Sequence, residues 1–223
     1  MNTKTEKQEN YEGAYYHIYN RGSDKRDIFM EEKDCERFLE CLREFNTAKN
    51  INIRDLRDSK SPMFNLGESP KLNIGDNLVA ILCYCLIPNH FHLILKELVD
   101  GGIAKFMQKL STGYTKYFNK KYNRSGHLFQ GRYKFKEIDA DFYLTYLTGY
   151  IHINPVKARL VKLPEQYKYS SYLDYIGKKE TDFLDFKPEE LEIKIDDYKK
   201  FIVDLMNDKE ALEKVKDVSL EDE

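Results

Sequence analysis

The amino-acid sequence predicts an α+β protein in which helices pack on an antiparallel sheet, with a helical C-terminal extension. Short β-prone runs alternate with segments whose apolar residues recur at helical spacing, in the order β-α-insertion-β-β-α-β-α. Two of the strand-like runs are separated only by Pro88-Asn89, a turn signal that predicts a hairpin. The last part of the chain is strongly acidic, and we place a boundary near residue 177.

The first half of the chain predicts two strands, one helix and an insertion. The aromatic segment Ala14–Asn20 is β-prone, and apolar residues at helical spacing predict a helix over Glu31–Lys49. Residues 50–77 combine charges with proline and glycine, so we expect a long insertion there. The continuous apolar run Leu78–Ile87 is typical of a buried strand.

The second half predicts the partner strand of the hairpin and further helices. The segment His90–Lys96 alternates into a strand, and we expect the hairpin to lie at the centre of the sheet. Pro155 is expected to limit the last helix before the extension. The remaining elements are a helix from Gly102 to about Asn119, a strand from about Arg132 to Ile138, a helix from Asp141 to about Ile153, and acidic helices from Pro188 to about Met206 and from Asp208 to about Val218. The chain is thus divided into a tail (1–13), a domain (14–176) with an insertion at about 50–77, and an acidic helical extension (177–223).

The net charge of −2 conceals an asymmetry along the chain. Residues 105–162 carry twelve Lys or Arg and three acidic residues, whereas residues 180–223 carry seven Lys and sixteen acidic residues. The middle of the chain is therefore a candidate phosphate-binding surface, and the acidic extension should be repelled by nucleic acid.

Composition indicates a cytoplasmic protein and no membrane-spanning segment. No apolar run approaches the roughly 20 residues that span a bilayer, and the polar start of the sequence predicts no secretory signal. The cysteines lack zinc-type spacing, so we expect buried free thiols at all four positions: Cys35, Cys41, Cys83 and Cys85.

Two histidines are the first candidates for chemistry. His90 and His92 are two residues apart on a predicted strand, so both imidazoles lie on one face and can reach the same ion. A third ligand is required. Two neutral nitrogens, an oxygen donor and waters suit Mg²⁺ or Mn²⁺ at a phosphate, while the ligand types do not exclude Zn²⁺.

The helix that starts at Asp141 supplies candidates for a nucleophile. Tyr146 and Tyr150 both lie on it, and a tyrosine hydroxyl becomes competent to attack phosphorus beside a divalent metal. Residue chemistry leaves the choice between the two tyrosines open. Asn154 shares a helix face with Tyr150 if the helix extends that far, whereas His152 should point elsewhere.

Four ordered motifs carry a resemblance to a known family. They are Tyr16-His-Ile-Tyr-Asn-Arg-Gly22, Cys85-Leu-Ile-Pro-Asn-His-Phe-His-Leu-Ile-Leu95, Gly126-His-Leu-Phe-Gln-Gly-Arg-Tyr133 and Tyr150-Ile-His-Ile-Asn-Pro-Val-Lys157. Over about Tyr15–Leu173 the chain resembles the IS200-like transposases and, more narrowly, the REP-associated tyrosine transposases of the HUH nuclease superfamily.

The resemblance implies a ferredoxin-like domain that nicks and rejoins single-stranded DNA beside a hairpin. It implies Tyr150 as the nucleophile of a 5′-phosphotyrosine intermediate, His90 and His92 as ligands of Mg²⁺ or Mn²⁺, and Asn154 as the third ligand. Asn154 departs from the family pattern, in which the third ligand is often glutamine. His17, on the first strand, is expected to be an ordinary sheet histidine.

Basic residues near the tyrosine helix are candidate contacts to the DNA backbone, and interleaved aromatic residues offer stacking surfaces for bases. The candidates are Arg21, Lys116, Lys120, Lys121, Arg124, Arg132, Lys134 and Lys136.

Two other functions remain open from the sequence. A metal-dependent phosphohydrolase would use the histidines and water, and a domesticated descendant would bind hairpin DNA without cutting it. The oligomeric state is also open between a monomer and a homodimer. The acidic extension is expected to be a solvated helical cap, with dimerisation or autoinhibition as its alternatives.

Overall fold

The computed structural model describes residues 13–48, 77–138, 141–186, 195–208 and 210–212. Most of the predicted insertion and of the N-terminal tail lies outside these residues, as does the second half of the predicted final helix. The elements are, in chain order, β1 (Tyr15–Arg21), α1 (Glu32–Phe45), β2 (Val79–Ile87), β3 (His90–Glu97), α2 (Gly102–Lys121), β4 (Lys134–Ile138), α3 (Asp141–Lys157), α4 (Tyr172–Tyr175) and α5 (Ile195–Asn207).

The four described strands form one antiparallel sheet in the order β2-β3-β1-β4. Combined with the chain order β1-α1-β2-β3-α2-β4, this is the ferredoxin-like arrangement. The predicted α+β class and antiparallel sheet are confirmed. The arrangement places β3, which carries both histidines, between β2 and β1.

Each face of the sheet is covered by different helices because side chains alternate along the strands. Phe91, Leu93 and Leu95 on β3 pack in a core with α1 and α2. Ile94, on the other face of β3, packs in a second core with α3 and α5. We call these the α1/α2 face and the α3 face. His90 and His92 have the same parity as Ile94 and therefore lie on the α3 face.

The prediction that the whole hairpin lies at the sheet centre is wrong for β2. This strand occupies one end of the sheet, where its backbone groups would lack partners. Distant segments supply those partners: the amide of Leu86 donates to the carbonyl of Tyr169, and the amide of Ser171 donates to the carbonyl of Tyr84. The amide of Asp185 donates to the carbonyl of Ile81.

Two helix ends differ from the predictions. α1 ends at Phe45 because the Asn46 side chain turns to the sheet, where its Oδ1 accepts from the amides of Leu78 and Val79. α3 continues through Pro155 to Lys157. A proline in the last turn removes only one donor, so the helix persists for two further residues.

His152 anchors α3 through a buried polar network. Its Nδ1 lies 2.8 Å from the hydroxyl of Tyr198 on α5. Its Nε2 lies 2.8 Å from Ser171 Oγ and 3.4 Å from Cys83 Sγ on β2. The side chain has no exposed surface, and these partners turn His152 away from the side of the helix that carries Tyr150, as the helical spacing predicts.

Helix α5 of the acidic extension is part of the core on the α3 face. Tyr198, Ile202 and Leu205 of α5 are buried against α3, and Gly149 provides the room. A Cβ at Gly149 would lie 2.7 Å from Leu205 Cδ2. The boundary at residue 177 stays a prediction.

All four cysteines are buried free thiols, as predicted. Within the described ranges, no helix combines the length and apolar character needed to cross a bilayer.

We expect Tyr198→Phe to lower the free energy of unfolding by about 1–3 kcal/mol, because it leaves a ring nitrogen of the buried His152 without its partner. Urea denaturation measures this change. Tyr143→Phe is the matched control, since the buried Tyr143 hydroxyl has no hydrogen-bond partner among the described residues. Equal destabilisation by both variants would contradict the role assigned to the His152 network.

Candidate functional site

The register of β1 and β3 positions the histidine pair. His90 lies opposite Arg21 and His92 lies opposite Tyr19 in the antiparallel ladder. The two imidazoles are 5.0 Å apart between ring centroids and nearly perpendicular, with an interplanar angle of 89°. The pair is therefore brought together on one face of the sheet, as the spacing predicts.

Both histidines are hydrogen-bonded through the same ring nitrogen. His90 Nδ1 lies 2.6 Å from Asn89 Oδ1, and because that oxygen only accepts, the histidine nitrogen donates. His92 Nδ1 lies 3.0 Å from His17 Nε2. These bonds leave Nε2 of each ring as the nitrogen that would face an ion, which is the arrangement expected of metal-binding histidines.

The environment keeps both imidazoles neutral. Burial, reinforced by the charge of Arg21, lowers the pKa of His90 to about 4. Burial also holds the pKa of His92 well below its usual value, with smaller contributions from His90, His17, Lys157 and Arg21. A neutral imidazole has the lone pair that metal binding requires, so both side chains are in the competent form.

Three residues of α3 form a stripe that Lys157 connects electrostatically to His92. Tyr150, Asn154 and Lys157 are separated by four and three residues and therefore lie on one side of the helix. The Lys157 ammonium lies 3.8 Å from the centroid of the Tyr150 ring, and its charge contributes to the lowered pKa of His92. Tyr150 is fully buried, whereas Lys157 is exposed at the end of the helix. The other candidate, Tyr146, packs edge-on against Phe201 of α5.

The chemistry of the donor set fits a divalent ion. In the described part of the chain, no group of three or more His, Cys, Asp or Glu side chains could hold a metal, so a third ligand from these residues would be of another type. The Asn154 carboxamide is buried, and its Nδ2 has no hydrogen-bond partner among the described residues. A 180° rotation of the amide would present its oxygen, a hard donor, at that position.

Three of the eight candidate DNA contacts lie around this site. Arg21 and Lys136 act electrostatically on the histidine cluster, since Arg21 lowers the pKa of His90 and Lys136 lowers that of His17. Lys134 lies opposite Tyr19 in the β1–β4 ladder, and its ammonium is 5.8 Å from that ring centroid. These three cations belong to the α3 face and form a positive rim beside the histidines.

The other candidates lie elsewhere. Lys116, Lys120 and Lys121 are on α2, which covers the opposite face of the sheet. Lys121 is held by acidic side chains, with its Nζ 2.6 Å from Glu31 Oε1 and in contact with the buried Asp34 carboxylate. In the loop after α2, the Arg124 guanidinium lies 5.7 Å from the Phe118 ring centroid, and that of Arg132 lies 5.5 Å from Tyr133.

Two residues of the site were not singled out from the sequence. Lys157 is the last residue of the fourth motif, and its spacing of seven from Tyr150 is the signal that could have identified it. His17 was expected to be an ordinary sheet histidine, yet it contacts a candidate metal ligand. No local pattern relates it to His92, because the two lie 75 residues apart.

Comparisons with known proteins agree with the resemblance of the motifs. Residues 66–154 match the family model described as "Transposase IS200 like". This match confirms the resemblance for that part of the chain. The matched segment includes the four candidate catalytic and metal-binding residues, whose roles stay predictions: His90, His92, Tyr150 and Asn154.

A solved structure, described as "Structure of the REP associates tyrosine transposase bound to a REP hairpin", is similar at 17% identity with a TM-score of 0.49. The similarity covers 81% of this chain and 93% of that chain. No curated protein sequence matches the chain.

Burial of neutral histidines makes stability sensitive to acid. Burial lowers the pKa of His152 to about 3, so below its unfolded pKa of about 6.5 only the unfolded chain binds the proton. The stability that neutral His152 contributes to the fold is complete above about pH 6.5. It is lost as the pH falls toward the pKa of His152 in the folded state, about 3. When the pH falls from about 7 to about 5, we expect the free energy of unfolding of His152→Asn to fall by about 2 kcal/mol less than that of the unmodified chain.

Urea denaturation at the two pH values measures this difference. Replacement of the exposed His127 by Asn is the matched control. The same loss in His152→Asn as in the unmodified chain would show that His152 does not contribute to acid sensitivity.

Proposed function

We propose that this chain is an IS200-like transposase that nicks and rejoins single-stranded DNA beside a hairpin, using Tyr150 as its nucleophile. The observation that carries the proposal is the juxtaposition on the α3 face. The α3 cation Lys157 lies over the ring of Tyr150 and acts electrostatically on His92. His90 and His92 are neutral, and the Nδ1 atom of each is already hydrogen-bonded.

The tyrosine would act by attack on phosphorus. The Tyr150 oxygen forms a bond to the phosphorus of a phosphodiester as it loses its proton, and the bond from phosphorus to the 3′ oxygen breaks. The 3′ oxygen takes up a proton, which leaves a free 3′-OH and a 5′-phosphotyrosine. Because the phosphodiester linkage is conserved, the 3′-OH of another strand can reverse the step and rejoin the DNA.

Lys157 would assist at the same phosphate. Its ammonium lies over the face of the Tyr150 ring, and rotation about its flexible side chain would bring it to a phosphate held at the hydroxyl. Tyr150 has no exposed surface, so the substrate has to displace part of what covers the ring. The exposed Lys157 is suited to that movement because an incoming phosphate offers it a stronger partner than the ring.

His90, His92 and Asn154 would hold Mg²⁺ or Mn²⁺. The ion would supply charge stabilisation at a non-bridging phosphate oxygen. Asn89 and His17 orient the two imidazoles, and Arg21 adds positive charge beside them.

The DNA backbone would cross the positive rim of the α3 face. Arg21, Lys134 and Lys136 surround the histidine cluster and would contact phosphates next to the cleaved bond. Lys116, Lys120, Arg124 and Arg132 remain candidate contacts to a more distant part of a hairpin.

We expect Tyr150→Phe to abolish both nicking and the covalent protein–DNA adduct while hairpin binding persists. The variant removes the attacking oxygen and keeps the ring that Lys157 covers. Labelled oligonucleotides with a hairpin and flanking single strand, incubated with Mn²⁺ and resolved under denaturing conditions, measure nick and adduct together. Tyr146→Phe is the matched control on the same helix and should retain both.

The same assay separates the alternative functions. A metal-dependent phosphohydrolase would continue to cleave after Tyr150→Phe and would never form the adduct. A binding protein that does not cut would show neither product with the unmodified chain on hairpins that it binds. Either result would contradict the proposed function.

We expect replacement of Lys134 and Lys136 together by Gln to weaken binding of single-stranded DNA and to reduce its salt dependence. Loss of two phosphate contacts should lower the slope of log K against log salt by about 1.4. Fluorescence anisotropy over a range of salt concentrations measures the slope. Lys116 and Lys120 are candidate contacts to a hairpin, so their replacement by Gln is the charge-matched control when the single strand has no hairpin. An equal change in slope there would contradict a single-strand path confined to the α3 face.

A further inference from the structure

His17 is a buried histidine that occupies an unusual position for a sheet residue. It lies on β1, is 1% exposed, and its Nε2 is 3.0 Å from His92 Nδ1. The two rings are nearly parallel, with centroids 5.3 Å apart and an interplanar angle of 17°. The Tyr19 ring packs against both imidazoles, with its centroid 5.2 Å from that of His17 and 6.0 Å from that of His92. The mutual orientation of the two imidazoles is therefore set by packing.

A hydrogen bond between two neutral imidazoles requires that only one of the two facing nitrogens carries a hydrogen. If His92 Nδ1 carries it, the lone pair of His92 lies on Nε2, where a cation can bind. If His17 Nε2 carries it, the hydrogen of His92 moves to Nε2 and blocks that position. The tautomer of His92 therefore decides whether the ring can be a metal ligand.

His90 provides an internal reference for this choice. Its Nδ1 faces Asn89 Oδ1, which can only accept, so His90 has its hydrogen on Nδ1 and its lone pair on Nε2. For both rings to bind one ion through the same nitrogen, His92 must have the same tautomer. His17 supports this tautomer of His92 only if its Nε2 accepts the hydrogen that His92 carries on Nδ1.

We propose that His17 is a positioning residue that holds His92 in the Nδ1–H tautomer and so directs its Nε2 to a divalent cation. The proposal rests on the proposed function, because it concerns the same metal site. Acceptance at Nε2 places the hydrogen of His17 on Nδ1, a buried atom that has no hydrogen-bond partner among the described residues. An apolar residue at this position would avoid the unsatisfied group, so His17 lowers the stability of the fold. Its role for His92 accounts for a histidine at this position.

The chain offers a matched pair of variants. Gln in place of His17 keeps an acceptor at about the reach of Nε2, whereas Leu fills similar space and cannot accept. His17→Leu should therefore remove the bond to His92, and His17→Gln should preserve it. Thermal denaturation in EDTA verifies that both variants fold, and His17→Leu is expected to be at least as stable as the unmodified chain.

The tautomer is measured directly by long-range proton–nitrogen NMR of ¹⁵N-histidine-labelled protein in EDTA. We expect His92 to appear as the Nδ1–H form in the unmodified chain and in His17→Gln, and to shift toward the Nε2–H form in His17→Leu. A signal from the Nε2–H form in the unmodified chain would overturn the proposal, as would an unchanged Nδ1–H form in His17→Leu.

Metal affinity provides the second readout, without DNA and without turnover. We expect His17→Leu to weaken Mn²⁺ binding by about 10–100-fold, measured from the signal of free Mn²⁺ by electron paramagnetic resonance, and His17→Gln to restore most of it. Equal Mn²⁺ affinity in His17→Leu and the unmodified chain would overturn the role of His17 but not the metal site itself. Binding that is equal in the unmodified chain and in a His90→Ala, His92→Ala double variant would instead contradict the metal site of the proposed function.

Discussion

The attachment of α3 to the sheet is the constraint on which the candidate site depends. His152 fixes the helix through partners on β2, on the segment before α4 and on α5: Cys83, Ser171 and Tyr198. An α-helix is stiff, so a fixed His152 also fixes the opposite side of the helix, where Tyr150 and Asn154 lie. The acidic extension takes part in this, because α5 buries its apolar side chains against α3. Its described part thus positions the tyrosine helix as well as covering it.

The site concentrates polar groups that the fold does not need. Three histidines on the α3 face are kept neutral by burial, and Asn154 presents a buried carboxamide with an unpartnered atom. Each such group lowers stability unless a ligand satisfies it. The buried His152, by contrast, has a hydrogen-bond partner at each ring nitrogen. Buried neutral imidazoles beside a buried carboxamide are what a site prepared for an ion and a phosphate would show.

Local patterns predicted the parts of the fold that local interactions determine. The turn signal Pro88-Asn89 predicted the hairpin of β2 and β3. The period of two residues along a strand predicted that His90 and His92 share one face of the sheet. The position of β2 at the end of the sheet could not be predicted, since its edge is covered by residues such as Ser171, far away in the chain. The end of α1 depends in the same way on a contact between Asn46 and β2.

The site was predictable only in part, for a related reason. Residue chemistry left Tyr146 and Tyr150 equivalent, and the order of the motifs selected Tyr150. The structure adds a physical distinction, because Tyr146 packs on α5 whereas Tyr150 lies under Lys157. Clustering of basic residues did not reveal that Lys121 is held by Asp34, a residue 87 positions earlier. Partners at such separations are determined by the fold.

The central claim is that the histidine pair and the α3 stripe form one metal-dependent site. Anomalous scattering from crystals of the full chain grown with Mn²⁺ tests it most directly. We expect a single ion within roughly 2.0–2.3 Å of Nε2 of His90 and His92, with the Asn154 side-chain oxygen as its third protein ligand. An ion bound through Nδ1 of either histidine, or one bound away from the pair, would contradict the claim.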